Sequence, residues 1–141
     1  MHTFAYPTKL TEDKDDGGYI ITFRDIPEAI TQGDTVDTCI IEARDCLDEA
    51  IAGRIDDRED IPIPSKARKN EHIINVPVMT AVKASLYMKM KERKFTNTKL
   101  AKLLNIDEKE VRRMLDPHHG TKVPTMEHAL SMLGGELQVT L

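Results

Sequence analysis

Phe4, Tyr6, Thr8 and Leu10 fall on alternate positions, and Tyr19, Ile21 and Phe23 repeat that period of two beyond the acidic stretch Asp13-Lys14-Asp15-Asp16-Gly17-Gly18. A period of two lines one face of an extended chain, so two such runs joined by a glycine-closed turn predict a β-hairpin. Pro7 has no N–H to give to a ladder, which predicts that the first strand runs along a sheet edge. A short extended piece over residues 29–32 follows, and Gly33-Asp34-Thr35 supplies a turn and then a helix cap.

From Val36 the period changes. Val36, Ile40, Ala43, Leu47, Ala50 or Ile51, and Ile55 recur at steps of four and three, with Asp37, Glu42, Arg44, Asp45, Asp48 and Glu49 between them. The stripe predicts an amphipathic helix whose apolar side needs a sheet to cover it. Residues 56–68, rich in Pro and charge, read as a loop, and residues 72–76 as a further strand. Strand, strand, short strand, helix, strand is the order of a small α+β sandwich. Pro77 suits the first turn of a new helix, in which Met79, Val82, Leu86 and Met90 continue at helical spacing as core rather than as a ligand box.

The spacing of Leu100, Ala101, Leu104, Asn105, Ile106, Val111 and Leu115 predicts a helix-turn-helix. Ala101 is small where the second helix crosses the first, and Asn105 tolerates the left-handed backbone of the turn. Leu100, Leu104, Ile106, Val111 and Leu115 then face inward, and Asp107 with Glu110 makes a capping box with Asp in place of Ser or Thr. The outward face of the second helix presents Lys109, Arg112 and Arg113 beside Glu108. Such a helix enters the major groove, where arginine bonds bidentately to guanine; Arg112 or Arg113 is the expected base reader, and Lys109 and Lys99 the expected phosphate contacts. Thr98 adds its hydroxyl and backbone N–H to a phosphate oxygen.

Pro117 ends this helix, and His118-His119-Gly120-Thr121-Lys122 forms a loop expected to touch the duplex backbone through His118, His119 and Lys122. Adjacent histidines chelate one ion poorly and no Cys or carboxylate cluster accompanies them, so no metal site is expected. Thr125 is expected to cap a last helix carrying Met126, Ala129, Leu130 and Leu133, which Gly134 ends. Leu137, Val139 and Leu141 alternate as a terminal strand, for which a second copy of the chain is one economical partner.

Charge sharpens this division. Residues 1–65 hold six Lys or Arg against 16 Asp or Glu, net −10, and residues 66–141 hold 14 against eight, net +6. A basic half suits a polyanion such as DNA, and an acidic half a cationic partner. No apolar run reaches the roughly 18 to 20 residues of a membrane span, and the N-terminus lacks a secretory pattern, so the expected compartment is the cytoplasm. Cys39 and Cys46 are seven positions apart on one predicted helix, about 10 Å along its axis, beyond disulfide reach. They read as small apolar residues.

Gly17-Gly18-Tyr19-Ile20-Ile21-Thr22-Phe23-Arg24-Asp25-Ile26-Pro27-Glu28-Ala29, then Thr31-Gln32-Gly33-Asp34-Thr35 before the amphipathic helix, and last the helix-turn-helix stretch, together resemble the HicB antitoxins with an appended Cro-like helix-turn-helix domain. The resemblance covers nearly the whole chain. It implies a partial RNase H-like toxin-binding domain at residues 1–76, and at 77–141 an all-α helix-turn-helix domain with a short C-terminal strand. It implies further that the first domain covers a small, basic, mRNA-cleaving HicA-like toxin. The second then binds operator DNA as a homodimer or higher even-numbered oligomer and represses its own operon. Toxin contacts are expected from Tyr19, Arg24, Asp25 and Glu28. Two positions depart from the family pattern: Thr38 stands where a capping Glu is common, and Asn105 replaces the usual turn Gly.

An RNase H-like fold raises the question of carboxylates gathered around metal ions for hydrolysis. Here Asp13, Asp15 and Asp16 sit in a turn, and Asp37, Asp45, Asp48 and Glu49 fall on solvent-side helix positions, so no catalytic residue, cofactor or enzymatic activity is expected. The alternative is a ligand-responsive transcription regulator without a toxin partner, which requires a concave apolar pocket in the first half.

Overall fold

The computed structural model describes residues 3–141. Its elements run β1 (Ala5–Glu12), β2 (Tyr19–Thr22), β3 (Ile30–Gly33), α1 (Val36–Asp56), β4 (His72–Asn75), α2 (Val78–Glu92), α3 (Asn97–Leu104), α4 (Glu108–Leu115) and α5 (Val123–Met132), a mixed α+β chain. Two compact units divide it. The first comprises residues 3–53 with Pro62–Pro77, and the second Arg54–Ile61 with Val78–Leu141, so the last turn of α1 and part of the loop after it belong to the second.

The first unit is built on a four-stranded antiparallel sheet of order β3-β2-β1-β4. β1 is therefore interior, correcting the edge placement predicted from Pro7. The reason is that β1 uses its two sides at different levels. Lys9 to Glu12 pair with β2, while Ala5 to Thr8 pair with β4. Phe4 O accepts from Val76 N, so in the alternating ladder the even-numbered residues of β1 bond toward β4. Pro7 then turns its missing donor to the side where β2 has already ended, and Thr8 Oγ1 closes that side by donating to Thr22 O at 2.9 Å.

Tyr6, Ile21, Phe23, Ile26 and Ile74 are buried, as are Cys39, Ala43, Leu47 and Ile51 from the α1 stripe. Val36, placed on that stripe by its spacing, is exposed, and Cys39 takes the core position one turn in. Burial, with smaller contributions from Asp34 and Glu42, pushes the Cys39 thiol up in pKa; Cys46 is half-buried, and both are free. The start of α1 resolves the Thr38 departure. Thr35 Oγ1 accepts from Thr38 N at 3.2 Å and Thr38 Oγ1 accepts from Thr35 N at 3.0 Å, a reciprocal capping box with threonine doing the work of glutamate.

In the second unit α3 packs on α4, and α2 on α4 and α5. Leu100, Ala101, Val111, Met114, Leu115, Met126, Ala129, Leu130 and Leu133 form its core with Leu86 and Met90. Pro77 lies one residue before α2 rather than within its first turn. Residues 135–141 take no regular structure, and Val139 and Leu141 are fully exposed, which corrects the predicted terminal strand: within one chain none of the described residues pairs with it.

Candidate functional sites

Thr96 caps α3 by accepting from Lys99 N at 3.1 Å, and Asn105 ends it at φ 54°, ψ 48°, the left-handed conformation expected of the turn. The following helix departs from prediction at its start. Asp107 makes no side-chain cap bond, and Glu110, its expected partner, instead pairs with Arg113. An ion pair between this acid and a base three residues on takes the place of the capping-box bond, while Asp107 keeps the cap position. Ile106 is exposed rather than inward, Leu104 is half-buried, and Met114 supplies the core contact in their place.

With Val111, Met114 and Leu115 buried, helical geometry puts Lys109 and Arg113 at the centre of the opposite face of α4 and Arg112 on its flank. Lys109 and Arg112 are exposed and Arg113 is half-buried. Lys99 is exposed on α3, its ammonium 4.4 Å from the centre of the Phe95 ring. Thr98 is also exposed, and its hydroxyl donates to Glu108 at 3.2 Å, linking the starts of the two helices. His118, His119 and Lys122 are exposed in the loop after α4. The structure thus gathers every sequence-predicted nucleic-acid residue in one unit. The last helix begins earlier than predicted: α5 starts at Val123 with Pro124 in its first turn, Lys122 holds the cap position, and Thr125 lies inside the helix.

Sequence reasoning passed over Lys83. It is fully buried, and its Nζ donates among four oxygens: Arg113 O at 2.9 Å, Asp116 O at 2.6 Å, His119 O at 2.5 Å and Thr121 Oγ1 at 2.9 Å. Burial holds its pKa below the usual lysine value, with Asp116 pulling the other way. The signal was in the spacing, since Met79, Val82, Lys83, Leu86 and Met90 share one helical stripe.

In the first unit, Tyr19 is half-buried on β2 opposite Glu12 and Gly33, and Glu28 is exposed in the turn before β3. Arg24 and Asp25 are engaged internally. The Arg24 guanidinium grips Glu71 through Nε at 3.0 Å and Nη2 at 3.1 Å and gives a further bond to Lys66 O at 2.6 Å. Asp25 accepts from Ser65 N at 2.8 Å and Ser65 Oγ at 2.5 Å. These residues fasten residues 65–71 to the turn after β2. The bond to Arg24 lowers the Glu71 pKa, followed by that from the Arg68 N–H. A carboxylate whose folded pKa is depressed adds stability above its unfolded pKa and loses it as pH falls through the folded value. Glu71→Gln is therefore expected to speed tryptic cleavage after Lys66, Arg68 or Lys69, and its small deficit in denaturation midpoint at neutral pH should vanish in acid.

Counting charge by compact unit softens the split seen along the sequence. The acidic residues Asp56, Asp57, Glu59 and Asp60 lie in the second unit, where Lys91 bonds Asp60 at 2.6 Å and lowers its pKa, while Lys66, Arg68 and Lys69 stay in the first. The units come to −6 and +2. A half-open cavity of about 340 Å³ in the second unit is lined by Tyr87, Met90 and Phe95 but also by Arg58, Lys91 and Arg112. Among the described residues no three of His, Cys, Asp and Glu converge to hold a metal ion, and no helix is long and apolar enough to cross a membrane.

The chain is similar over residues 5–85 to a family described as HicB_like antitoxin of bacterial toxin-antitoxin system. It is 36% identical to "Antitoxin HicB" of Escherichia coli (strain K12) over 96% of this chain and 98% of that one. It is 37% identical to "Antitoxin HicB 2" of Photorhabdus laumondii over 95% and 94%, and 27% identical to "Antitoxin HicB" of Pseudomonas fluorescens over 98% and 94%.

Proposed function

The chain belongs to the HicB-like antitoxin family of bacterial toxin–antitoxin systems, and from that premise we propose that its first unit neutralises a small, basic, HicA-like mRNA-cleaving toxin while its second represses its own operon. In this reading the first unit is a partial RNase H-like domain that acts by binding and not by catalysis. Helices α3 and α4 are a Cro-like helix-turn-helix, and the chain meets its operator as a homodimer. The observation that carries the reading is the match to antitoxins over nearly the full chain, joined to the cationic outward face of α4 on a helix pair with a left-handed turn at Asn105.

Arg113 is the favoured base reader, since it lies at the centre of that face and its pairing with Glu110 restrains its guanidinium before DNA arrives. Arg112, on the flank, is assigned to phosphate. Arg113→Ala is expected to weaken binding to the promoter duplex by about 1 to 3 kcal/mol and to relax specificity at one base pair. Lys99→Ala should weaken all duplexes alike and reduce the salt slope by about one. Fluorescence anisotropy over a salt series separates the two; an Arg113→Ala chain that binds the promoter as the parent does removes α4 from the groove. For the toxin, Tyr19 and Glu28 are proposed to make contact, with Arg24 and Asp25 shaping the turn that presents them. Co-expression of the full chain with the product of a neighbouring small basic reading frame tests this: capture of that product and suppression of its RNA cleavage are expected. Failure of both would favour the ligand-responsive regulator.

A further inference from the structure

A lysine ammonium taken out of water is costly unless its protons find acceptors. Lys83 meets four oxygens with three protons, so all are used. Two of those oxygens, on Arg113 and Asp116, belong to the C-terminal end of α4, where carbonyls lack partners within the helix and the helix dipole is negative. The other two, on His119 and Thr121, belong to the loop that follows. α4 has no glycine cap: Asp116 is extended at φ −83°, ψ 110°, and Pro117 comes next. Asp116 N closes the helix end on Arg112 O at 3.1 Å and Arg113 O at 3.3 Å, and one buried cation on α2 adds to that cap and, in the same act, fastens the loop to the helix end.

We infer that Lys83 is a positioning residue for DNA recognition, fixing α4 relative to the 118–122 loop so that Arg113 reaches a base while His118, His119 and Lys122 reach the backbone. This rests on the DNA-binding role proposed above, and it assigns the geometry of that role to a residue that never touches DNA. The loop adds its own restraint, His118 N donating to Asp116 Oδ1 at 2.9 Å and His119 N to Asp116 O at 3.0 Å. Neither bond reaches α2.

The test compares the full chain with Lys83→Met, which keeps an unbranched stem one atom shorter and removes the donor, and with Thr121→Val, a milder change that removes one acceptor and keeps the lysine. Each is titrated with its own promoter duplex and with a scrambled duplex of equal length, and amide hydrogen exchange is followed by mass spectrometry. Promoter affinity should fall at least about tenfold in Lys83→Met and less in Thr121→Val, while scrambled-duplex affinity stays within about twofold, because phosphate attraction survives a shifted helix. Exchange should rise over residues 113–121 and not over α3. A variant that circular dichroism shows to be folded and that binds both duplexes less in the same proportion overturns the assignment. So does unchanged exchange over residues 113–121. A parent chain that binds promoter and scrambled DNA alike instead refutes the DNA reading, and the exchange result then still decides whether Lys83 holds the loop. Should Lys83→Met not fold, Thr121→Val carries the same comparison.

Discussion

Replacing Gly18 by valine is expected to cost the first unit about 3 kcal/mol or more, a large share of the stability of a small domain. Two causes add. Gly18 sits at φ 71°, where a β-branched side chain is a true outlier, and a Cβ there would lie 2.6 Å from Gly33 O and 3.2 Å from Asp34 Cα. Those are backbone atoms, held by pairing with β2 and by the capped start of α1, so neither can yield cheaply. Gly17 supplies the control. At φ 76° it carries a similar conformational cost, yet a Cβ there meets nothing within 4 Å. Gly17→Val should therefore lose only the conformational part, about 1 to 2 kcal/mol. The difference between the two midpoints in urea, followed by circular dichroism, measures the contact alone. Equal midpoints would mean that hairpin and helix start do not press on each other as described. Gly33 faces a similar limit, since a Cβ on it would meet Cys39 Sγ at 2.7 Å.

Those contacts also mark how far the fold could be read from the sequence. Periodicity sees one face of one element at a time, so the hairpin, α1 and the two short helices were legible. The left-handed Asn105 was legible because its chemistry is local. What failed needed a partner from elsewhere in the chain. Pro7 argued for an edge because a proline spoils a ladder, but β1 changes partners halfway along and the gap falls where no strand stands. Asp107 does hold the cap position of α4, but the capping box predicted there does not form, because its side chain makes no cap bond and Glu110 pairs with Arg113, three residues further on. Leu137, Val139 and Leu141 carry a strand's alternation without a strand to pair with. Lys83 was hidden for the opposite reason: charge marks a residue as solvent-facing by default, and only the carbonyls of α4 and its loop, 30 to 36 positions away, make the burial tolerable. Of the toxin contacts expected from the sequence, Arg24 and Asp25 read as surface charges. Their partners Ser65, Lys66 and Glu71 sit more than 40 residues on, beyond any local pattern, or at 40 in the case of Ser65.

Reversing both central charges of α4, Lys109→Glu with Arg113→Glu, is expected to abolish promoter binding, a loss of roughly a thousandfold or more at moderate salt, while leaving toxin capture intact. The size follows from three contributions. A base contact is lost, worth about 1 to 3 kcal/mol, a phosphate contact is lost, and two carboxylates now face the phosphate backbone; together these exceed the roughly 4 kcal/mol that a thousandfold represents. The fold should tolerate the change, because Lys109 is exposed and Arg113 spends its side chain on Glu110 at the surface, while its backbone carbonyl, the atom that Lys83 holds, is unaltered. Helix α4 does lose an ion pair and gain acid near its C-terminal end, a modest penalty of about 1 kcal/mol. The first unit contains neither residue, so co-purification with the basic partner separates the two proposed activities. Loss of both together would show that the partner also grips α4, and that the division of labour between the units is wrong. Retained promoter binding would place the DNA on another face of the second unit.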